Sequence, residues 1–288
     1  MATTLSDLQA AQTASLTASY KAQANRSAAK IAALVALYYQ QRVDPMSVES
    51  VNRWLELMVP RLIAASDTGA DQAATFFDAV RRLEVGVNAP PYRATAARGF
   101  IDQGVSKSLL AVGPYDYANK VAQIQRLDVS PQQQRALLAE AKQVTTGKIA
   151  SAVVRHAQAG GRQTIHENSQ LDEVALGWIR VTKAKPCAFC AMLASRGIHY
   201  RSFKEGSFDL SNARFTGEGD AKVHDECGCS LKPVYSKNDP IAKQNKQFAD
   251  MWTLWGAGGG DAALRFRRGY DHWRESGDFM TWDQANAV

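Results

Sequence analysis

The first 186 residues of this 288-residue chain contain no cysteine, and the whole chain contains only four. Such a small number excludes a compact disulfide-stabilised scaffold. A hydrophobic share of 45% and a charged share of 22% exclude an intrinsically disordered chain. No fixed-period repeat is present, and the only biased segment is one short glycine run, so a collagen-like protein is excluded too. The sequence therefore predicts a folded protein with one large domain or two modest ones.

A long hydrophobic run is also missing. The longest apolar stretch, residues 31–39, is too short to cross a bilayer, so we expect no membrane segment. The first residues lack a basic start followed by an apolar run, so we expect no secretory signal. These features predict synthesis inside a cell, where thiols stay reduced and clustered cysteines favour a metal over disulfides.

The net charge separates the function classes only weakly. The chain has 34 Lys and Arg against 28 Asp and Glu, which gives a net charge of +6 without a polybasic tail. Mild positive charge permits contact with phosphate groups but does not require it. An ordinary solvated surface explains the same charge equally well.

Apolar residues at helical spacing predict a mainly α-helical chain up to about residue 171. A first helix is predicted from about residue 5, and a second begins at Val48. Because proline removes a backbone donor and clashes with the preceding turn, we expect Pro60 to kink or end that helix, with another helix around Phe76. Ser130 and Pro131 form a typical helix start, with the serine as the cap and the proline in the first turn.

Short strands replace helices after about residue 172. The candidate strands are residues 178–182, 200–203, 213–216 and 230–235. Two more helices are predicted after Asp239, and we interpret glycines 258–260 between them as a hinge. The predicted fold class is mainly α, in three parts. These are a multi-helix N-terminal domain (1–171), a small α+β Cys/His domain (172–238) braced by zinc, and a helical tail (239–288).

The four cysteines and one histidine form a two-part pattern with the spacing of metal ligands. The first part is Cys187-x2-Cys190, and the second is His224-x2-Cys227-x-Cys229. A Cys-x2-Cys turn brings two sulfurs within reach of one tetrahedral ion, and zinc prefers thiolate and imidazole ligands. Two ligands from each part would tie distant segments together and favour folding. The pattern predicts a structural zinc ion with five candidate ligands for four positions. Buried free thiols, disulfides formed after cell lysis, or a cluster that has lost its ion are the alternatives.

A second candidate surface lies in the last long helix that the sequence predicts. Aromatic residues alternate there with arginines, and such a stripe can stack on bases and bind phosphates. More often, a stripe of this kind docks onto a partner or onto the body of its own protein. The candidate DNA- or partner-binding residues are Arg265, Arg267, Arg268 and Trp273.

The residues around the cysteines resemble a known family of phage proteins. Two runs carry the resemblance: Cys-Ala-Phe-Cys-Ala-Met-Leu-Ala-Ser-Arg-Gly from Cys187 to Gly197, and His-Asp-Glu-Cys-Gly-Cys-Ser-Leu-Lys-Pro from His224 to Pro233. They are similar to the Mu-F-like minor head (head morphogenesis) proteins of tailed bacteriophages. The actinobacteriophage versions, often labelled capsid maturation protease, are the most similar. The resemblance covers residues 177–235, and the helical part agrees with it in general character only.

The resemblance implies a minor capsid protein, present in few copies inside the capsid at the portal vertex and in the host cytoplasm during assembly. Its implied partners are the portal protein and the major capsid or scaffolding proteins, with packaged double-stranded DNA as a further candidate. The implied role is head (procapsid) assembly, extending to DNA packaging or ejection. The resemblance also carries the metal positions over to the same five Cys and His residues.

Two other functions fit the sequence less well. A capsid maturation protease would use Ser195 with His199 or His224, but no third orienting residue and no Gly-x-Ser-x-Gly motif is present. A zinc-containing nucleic-acid-binding protein would need a basic recognition helix, which the residues around His224 do not provide. We therefore expect a structural and interaction protein rather than an enzyme.

Overall fold

Long helices form most of the chain. A computed structural model describes residues 5–87, 89–99, 104–183, 185–200, 228–256 and 261–286. The helices before residue 172 are α1 (Asp7–Arg42), α2 (Val48–Val85), α3 (Val105–Leu110), a π-helical turn (Ala111–Tyr115), α4 (Asp116–Ile124), α5 (Pro131–Ala157) and α6 (Ala159–Leu171). The mainly helical class predicted from the sequence is therefore confirmed.

The helix starts follow the local sequence. Ser6 caps α1, and Ser130 caps α5 through a reciprocal pair of hydrogen bonds with Gln133, with Pro131 in the first turn as predicted. Both caps satisfy backbone N–H groups that have no partner inside the helix. The predicted starts of α1 and α5 are therefore confirmed.

Pro60 lies within α2 and does not end it. The helix continues without interruption to Val85, so the separate helix expected around Phe76 is part of α2, and that expectation was wrong. A buried apolar face runs along the helix on both sides of the proline, with Trp54 before it and Phe77 after it. Burial of this face outweighs the backbone hydrogen bond that the proline removes.

In the second half of the chain, the described residues form a three-stranded antiparallel sheet with strand order β2-β1-β3. Its strands are β1 (Gly177–Val181), β2 (Ile198–Tyr200) and β3 (Ser230–Val234), and α7 (Ala188–Ala194) connects β1 to β2. In the register of the sheet, Trp178 lies opposite His199 on one side and opposite Pro233 on the other. The predicted strands around 178–182 and 230–235 are confirmed. β2 overlaps the predicted strand at 200–203 only at residue 200, and residues 201–203 and 213–216 lie outside the described residues.

Three helices follow the sheet: α8 (Pro240–Trp255), α9 (Ala262–Ser276) and α10 (Trp282–Asn286). Asp239 caps α8 as the sequence indicates, by accepting a hydrogen bond from the backbone N–H of Ile241. The apolar faces of α8 and α9 pack on α7 and form one cluster around Trp255 and Tyr270. The glycines interpreted as a hinge lie outside the described residues. None of the described helices is long and apolar enough to cross a membrane.

Two further hydrophobic clusters organise the molecule. The first lies among α1, α2, α3 and α5, around Trp54 and Ile149. The second joins Phe76 and Phe77 of α2 to Trp178 of β1 and to Tyr235, which directly follows β3. The second cluster therefore contains residues from both sides of residue 172. The domain boundary placed there stays a prediction.

Candidate functional site

Three of the four cysteines lie together although they come from two distant parts of the chain. Cys190 and Cys229 are buried and in contact, and the half-buried Cys187 packs against them. Cys187 caps the N-terminus of α7, where its Sγ accepts a hydrogen bond from the backbone N–H of Cys190 at 3.4 Å. A backbone N–H that donates to sulfur favours the thiolate form, which is the form that binds metals.

The first cysteine pair is fixed by the C-terminal helices. α7 is rich in alanine, and Ala188, Ala191 and Ala194 pack in the same cluster as Tyr270 of α9. The Tyr270 hydroxyl donates to the carbonyl oxygen of Pro186, which directly precedes Cys187, at 2.9 Å. Small side chains on α7 permit this close packing, so the turn that carries the cysteine pair is held against the helical tail.

Cys229 is fixed from the opposite side by the N-terminal helices. Its carbonyl oxygen accepts a hydrogen bond from Nη1 of Arg162 in α6 at 3.4 Å. The next residue begins β3, and a Cβ added to the preceding Gly228 would lie 3.4 Å from Cε of Lys183. The cysteine cluster therefore lies where the N-terminal helices, the sheet and the helical tail meet.

The two remaining candidate ligands, His224 and Cys227, lie outside the described residues. Within the part of the chain that the structure describes, no three His, Cys, Asp or Glu side chains are arranged so that they could hold a metal ion by themselves. Cys187, Cys190 and Cys229 therefore form no three-ligand metal site among the described residues, and a zinc site would need donors from His224 or Cys227 as well. The identity of the four ligands stays a prediction.

Basic side chains lie near the cysteine cluster. Arg155 and Arg162 are buried, and Nη2 of Arg162 donates to the carbonyl oxygen of Arg155 at 2.7 Å. Nη2 of Arg155 lies 3.2 Å from Nε2 of His156. Burial, with the charges of Arg155 and Arg162, lowers the pKa of His156 to about 3. His156 is therefore a neutral hydrogen-bond acceptor near pH 7 and not a further cation.

Ser195 and His199, the two described candidates for a nucleophile and its base, each contact another residue. The Ser195 hydroxyl donates to the carbonyl oxygen of Met192 at 2.6 Å, in the last turn of α7. The His199 ring stacks on Trp178 with its centroid 4.1 Å away. The protease alternative with Ser195 and His199 or His224 stays untested, because His224 lies outside the described residues.

The aromatic stripe of α9 faces the interior of the protein. Phe266 and Tyr270 are buried against Trp255, and Trp273 is half-buried at the edge of the same cluster. Arg265 is also buried, with Nε 3.3 Å from the carbonyl oxygen of Trp255, whereas Arg267 is exposed. The stripe docks onto the body of its own protein, which was the more common of the two interpretations. A DNA- or partner-binding role for Arg265, Arg267, Arg268 and Trp273 stays a prediction.

A protein-family model described as VG15 protein matches residues 8–254, well over half of the chain. The chain belongs to the VG15 family. The match begins in α1 and ends within α8, so it contains the helical part, the sheet and the whole Cys/His pattern.

A curated relative of this VG15 chain is the Gene 15 protein of Mycobacterium phage D29. The two are 27% identical over 136 residues, which are 40% of this chain and 50% of the relative. The chain thus spans about half the length of that relative. No solved structure matches the chain. The findings support a bacteriophage protein, and they do not confirm the Mu-F-like assignment.

The sequence interpretation missed a buried charge cluster in the VG15 chain. Lys232 of β3 is completely buried and bonds to the carboxylates of Glu84 and Asp239. One local signal was available, because Lys232 interrupts the apolar run from Leu231 to Tyr235. A lysine in such a run needs an acidic partner if it is buried. Its partner Glu84, however, lies 148 residues away and cannot be identified from spacing.

Proposed function

We propose that this VG15 protein is a minor structural protein of a bacteriophage head, which binds the portal vertex during procapsid assembly. The family match over residues 8–254, together with the phage relative, is the observation that carries the proposal. The relative supports the proposal that the protein comes from a bacteriophage. The resemblance around the cysteines supports its proposed place in the head, at the portal. DNA packaging or ejection would be later steps of the same role.

The helical part offers a surface for binding other head proteins. Met46 and Val48, at the connection between α1 and α2, are 57% and 76% exposed. Nζ of Lys142 in α5 donates to the carbonyl oxygen of Val43 at 2.9 Å. This hydrogen bond holds the connection between α1 and α2 against α5. Neighbouring exposed apolar residues can contribute to a protein-binding surface when they form a contiguous patch. We assign portal binding to this connection, which we call the α1–α2 tip (residues 43–48).

Co-purification of the full-length chain with the portal protein of its phage tests this function. The wild-type chain is expected to be retained, and Val48→Glu is expected to weaken retention about tenfold or more, because a charge would be desolvated in the interface. Val87→Glu is the matched control, since Val87 is also exposed and follows the other end of the 38-residue α2. At 1.5 Å per residue, the 38-residue α2 is about 57 Å long, so the two valines lie near opposite ends of it. A wild-type chain that binds no portal, capsid or scaffolding protein contradicts the proposal.

In the same proposal, four of the five candidates Cys187, Cys190, His224, Cys227 and Cys229 hold a structural zinc ion. The support is that residues from two parts of the chain contribute soft sulfur donors to one cluster. When bound, the ion supplies a cross-link between these parts, which favours the folded state. The chain itself positions the donors through the cap of α7 and through the contact between Arg162 and Cys229.

Metal analysis of the chain purified under reducing conditions tests the zinc site. We expect about one zinc ion per chain, and we expect Cys187→Ser to lose the ion and to lower the melting temperature. Ser195→Ala, at the other end of α7, is the control and should leave both the zinc content and the melting temperature unchanged. A chain without zinc, with a Cys187→Ser variant as stable as the wild type, contradicts the zinc site but leaves portal binding untouched.

A further inference from the structure

Lys232, Glu84 and Asp239 form a charge cluster from which water is fully excluded. The side chains of all three residues have no exposed surface. Nζ of Lys232 lies 2.6 Å from Oε1 of Glu84 and 3.0 Å from the carbonyl oxygen of Pro233, and it also bonds to Oδ2 of Asp239. All three hydrogens of the ammonium group therefore have an acceptor.

The cluster contains one more carboxylate than it has cations. Glu84 and Asp239 share the single ammonium group of Lys232, and a second buried negative charge is costly in a dry interior. Burial raises the pKa of Glu84 above its ordinary value, against the opposing effect of Lys232. Glu84 therefore takes up a proton more readily than an exposed glutamate does, and its carboxyl group lies beside the amine of Lys232, which also bonds to Asp239.

Asp239 is held so that its two oxygens have different partners. Oδ1 accepts a hydrogen bond from the backbone N–H of Ile241 at 2.8 Å, and Oδ2 faces Nζ of Lys232. The carbon Cγ between them is one bond from Oδ2 and thus adjacent to the amine nitrogen. A backbone N–H on Oδ1 stabilises negative charge that develops there when Cγ is attacked. A nucleophile, an electrophilic carbon, an oxyanion donor and a proton-transfer group are thus held together.

We propose that Lys232 and Asp239 become joined by an intramolecular isopeptide bond, with Glu84 as the residue that transfers the proton. The ammonium group first gives a proton to the carboxylate of Asp239, which leaves a neutral amine and a neutral acid. Nζ then attacks Cγ, and a proton from the amine passes to Glu84 while Glu84 returns its own proton to Oδ2. The new bond is Nζ–Cγ, the broken bond is Cγ–Oδ2, and one water molecule leaves. No oxidant, cofactor or other reactant is needed.

The product suits the site better than the charged pair does. The reaction replaces an ammonium and a carboxylate by a neutral amide and so removes the desolvation cost of both charges. Exclusion of water from the site disfavours hydrolysis of the new bond. The bond also closes the connection between β3 and α8 into a covalent ring. This inference does not depend on the proposed phage-head function.

The mass of the intact wild-type chain decides whether the bond exists. We expect the mass to be lower than that of the sequence by one water molecule. Trypsin cleaves after Lys222, Lys237 and Lys243 and would release residues 223–237 and 238–243 as separate peptides from a chain without the bond. With the bond, the two peptides remain covalently linked after denaturation and reduction. A wild-type chain of full mass that yields the two peptides separately overturns the proposal and leaves a non-covalent ion cluster.

Substitutions test the role of each residue. Glu84→Gln keeps the shape of the side chain but cannot exchange a proton, so this variant is expected to keep its full mass. Asp239→Asn is expected to react with loss of ammonia and to reach the same final mass as the wild type. Glu49→Gln, in the exposed first turn of the same helix, is the control and should lose water as the wild type does. Complete bond formation in the Glu84→Gln variant overturns the assignment of Glu84.

Discussion

Asp172 accepts a hydrogen bond from Nε of Arg81 at 2.8 Å and another from the Tyr235 hydroxyl at 3.0 Å. Arg81 belongs to α2, Asp172 follows α6, and Tyr235 follows β3. The Asp172 side chain is almost fully buried, so groups of the protein rather than water surround it. A single buried carboxylate therefore joins three segments that are far apart in the sequence.

Replacement of Asp172 is expected to destabilise the protein strongly. Asp172→Ala leaves the Arg81 guanidinium buried without its carboxylate, which typically costs about 3–5 kcal/mol in the free energy of unfolding. Urea denaturation followed by circular dichroism measures this change. Glu49→Ala removes the exposed ion pair with Arg53 and should cost no more than about 0.5 kcal/mol. A loss of less than about 1 kcal/mol for Asp172→Ala would show that the buried pair contributes little.

His156 makes the stability depend on pH. Burial and the neighbouring Arg155 and Arg162 lower its pKa from 6.5 to about 3, so the folded state holds the neutral ring. The unfolded chain binds a proton below pH 6.5, and the folded chain does not until about pH 3. The contribution of His156 to the free energy of unfolding is therefore fully present above pH 6.5, and it is lost as the pH falls towards 3.

The contribution of His156 is measured by comparing variants across pH. The free energy of unfolding of the wild type should fall by up to about 1.4 kcal/mol per pH unit in this window because of this residue. His156→Gln keeps a hydrogen-bond acceptor for Arg155 but cannot titrate, so its slope should be smaller by that amount. If the free energy of unfolding falls equally steeply for the wild type and for His156→Gln between pH 6 and pH 4, the His156 ring is not held neutral by burial.

Residue spacing anticipated some side-chain neighbours and not others. The two-residue gap between Cys187 and Cys190 is a local feature of the sequence, so it could predict that these two side chains lie close together. The structure places Cys229 beside them. The partners of Lys232 and Asp172 depend on how helices pack, which is a property of the tertiary fold. Neither charge pattern nor periodicity could identify Glu84 or Arg81 as those partners.

At the scale of elements, α2 and α6 approach each other closely through small residues. A Cβ added to Gly160 in α6 would lie 2.6 Å from the backbone carbonyl oxygen of Ser66 in α2. The backbone N–H of Gly160 also lies 3.0 Å from the Ser66 hydroxyl, which accepts its hydrogen bond. A methyl group at this position could fit only if one of the two helices moved.

Gly160→Ala is therefore expected to lower stability. Forcing two helix backbones apart typically costs about 1–3 kcal/mol, more than the helix propensity that alanine gains. Gly147→Ala in α5 is the matched control, since nothing lies within 4 Å of an added Cβ there. That substitution should stabilise the chain by about 0.5–1 kcal/mol. Melting temperatures that rise for both variants would show that α2 and α6 do not need this close contact.

The limits of helices were easier to predict than their continuity. Ser130 and Pro131 mark a start through local hydrogen bonding, and the structure confirms it. Pro60 was expected to kink or end α2, and it does not end the helix, which continues to Val85. The burial of Trp54 and Phe77 on either side of Pro60 is a tertiary effect. Local sequence could therefore predict where helices begin. It could not predict whether tertiary packing would allow a helix to continue through a proline.

For the whole molecule, the second hydrophobic cluster joins the helical part to the sheet. Phe76 and Phe77 of α2 pack with Trp178 and Tyr235 in one buried group. Lys232 and Tyr235 add buried polar links back to α2 and to Asp172. A cut at residue 172 would separate the aromatic residues of this cluster and break these links. The folding of each part should therefore depend on the other.

Truncation tests this dependence. A fragment of residues 1–171 lacks Trp178, Leu231 and Tyr235, so it exposes Phe76 and Phe77 to water. Loss of about 1.5–3 kcal/mol per buried side chain should remove on the order of 5 kcal/mol from its free energy of unfolding. We expect the fragment to aggregate or to unfold at a much lower urea concentration than the intact chain. A chain that ends after Ser276 keeps the cluster and should lose far less stability. If residues 1–171 unfold cooperatively at the midpoint of the intact chain, the N-terminal helices form an independent domain and the shared cluster contributes little to their stability.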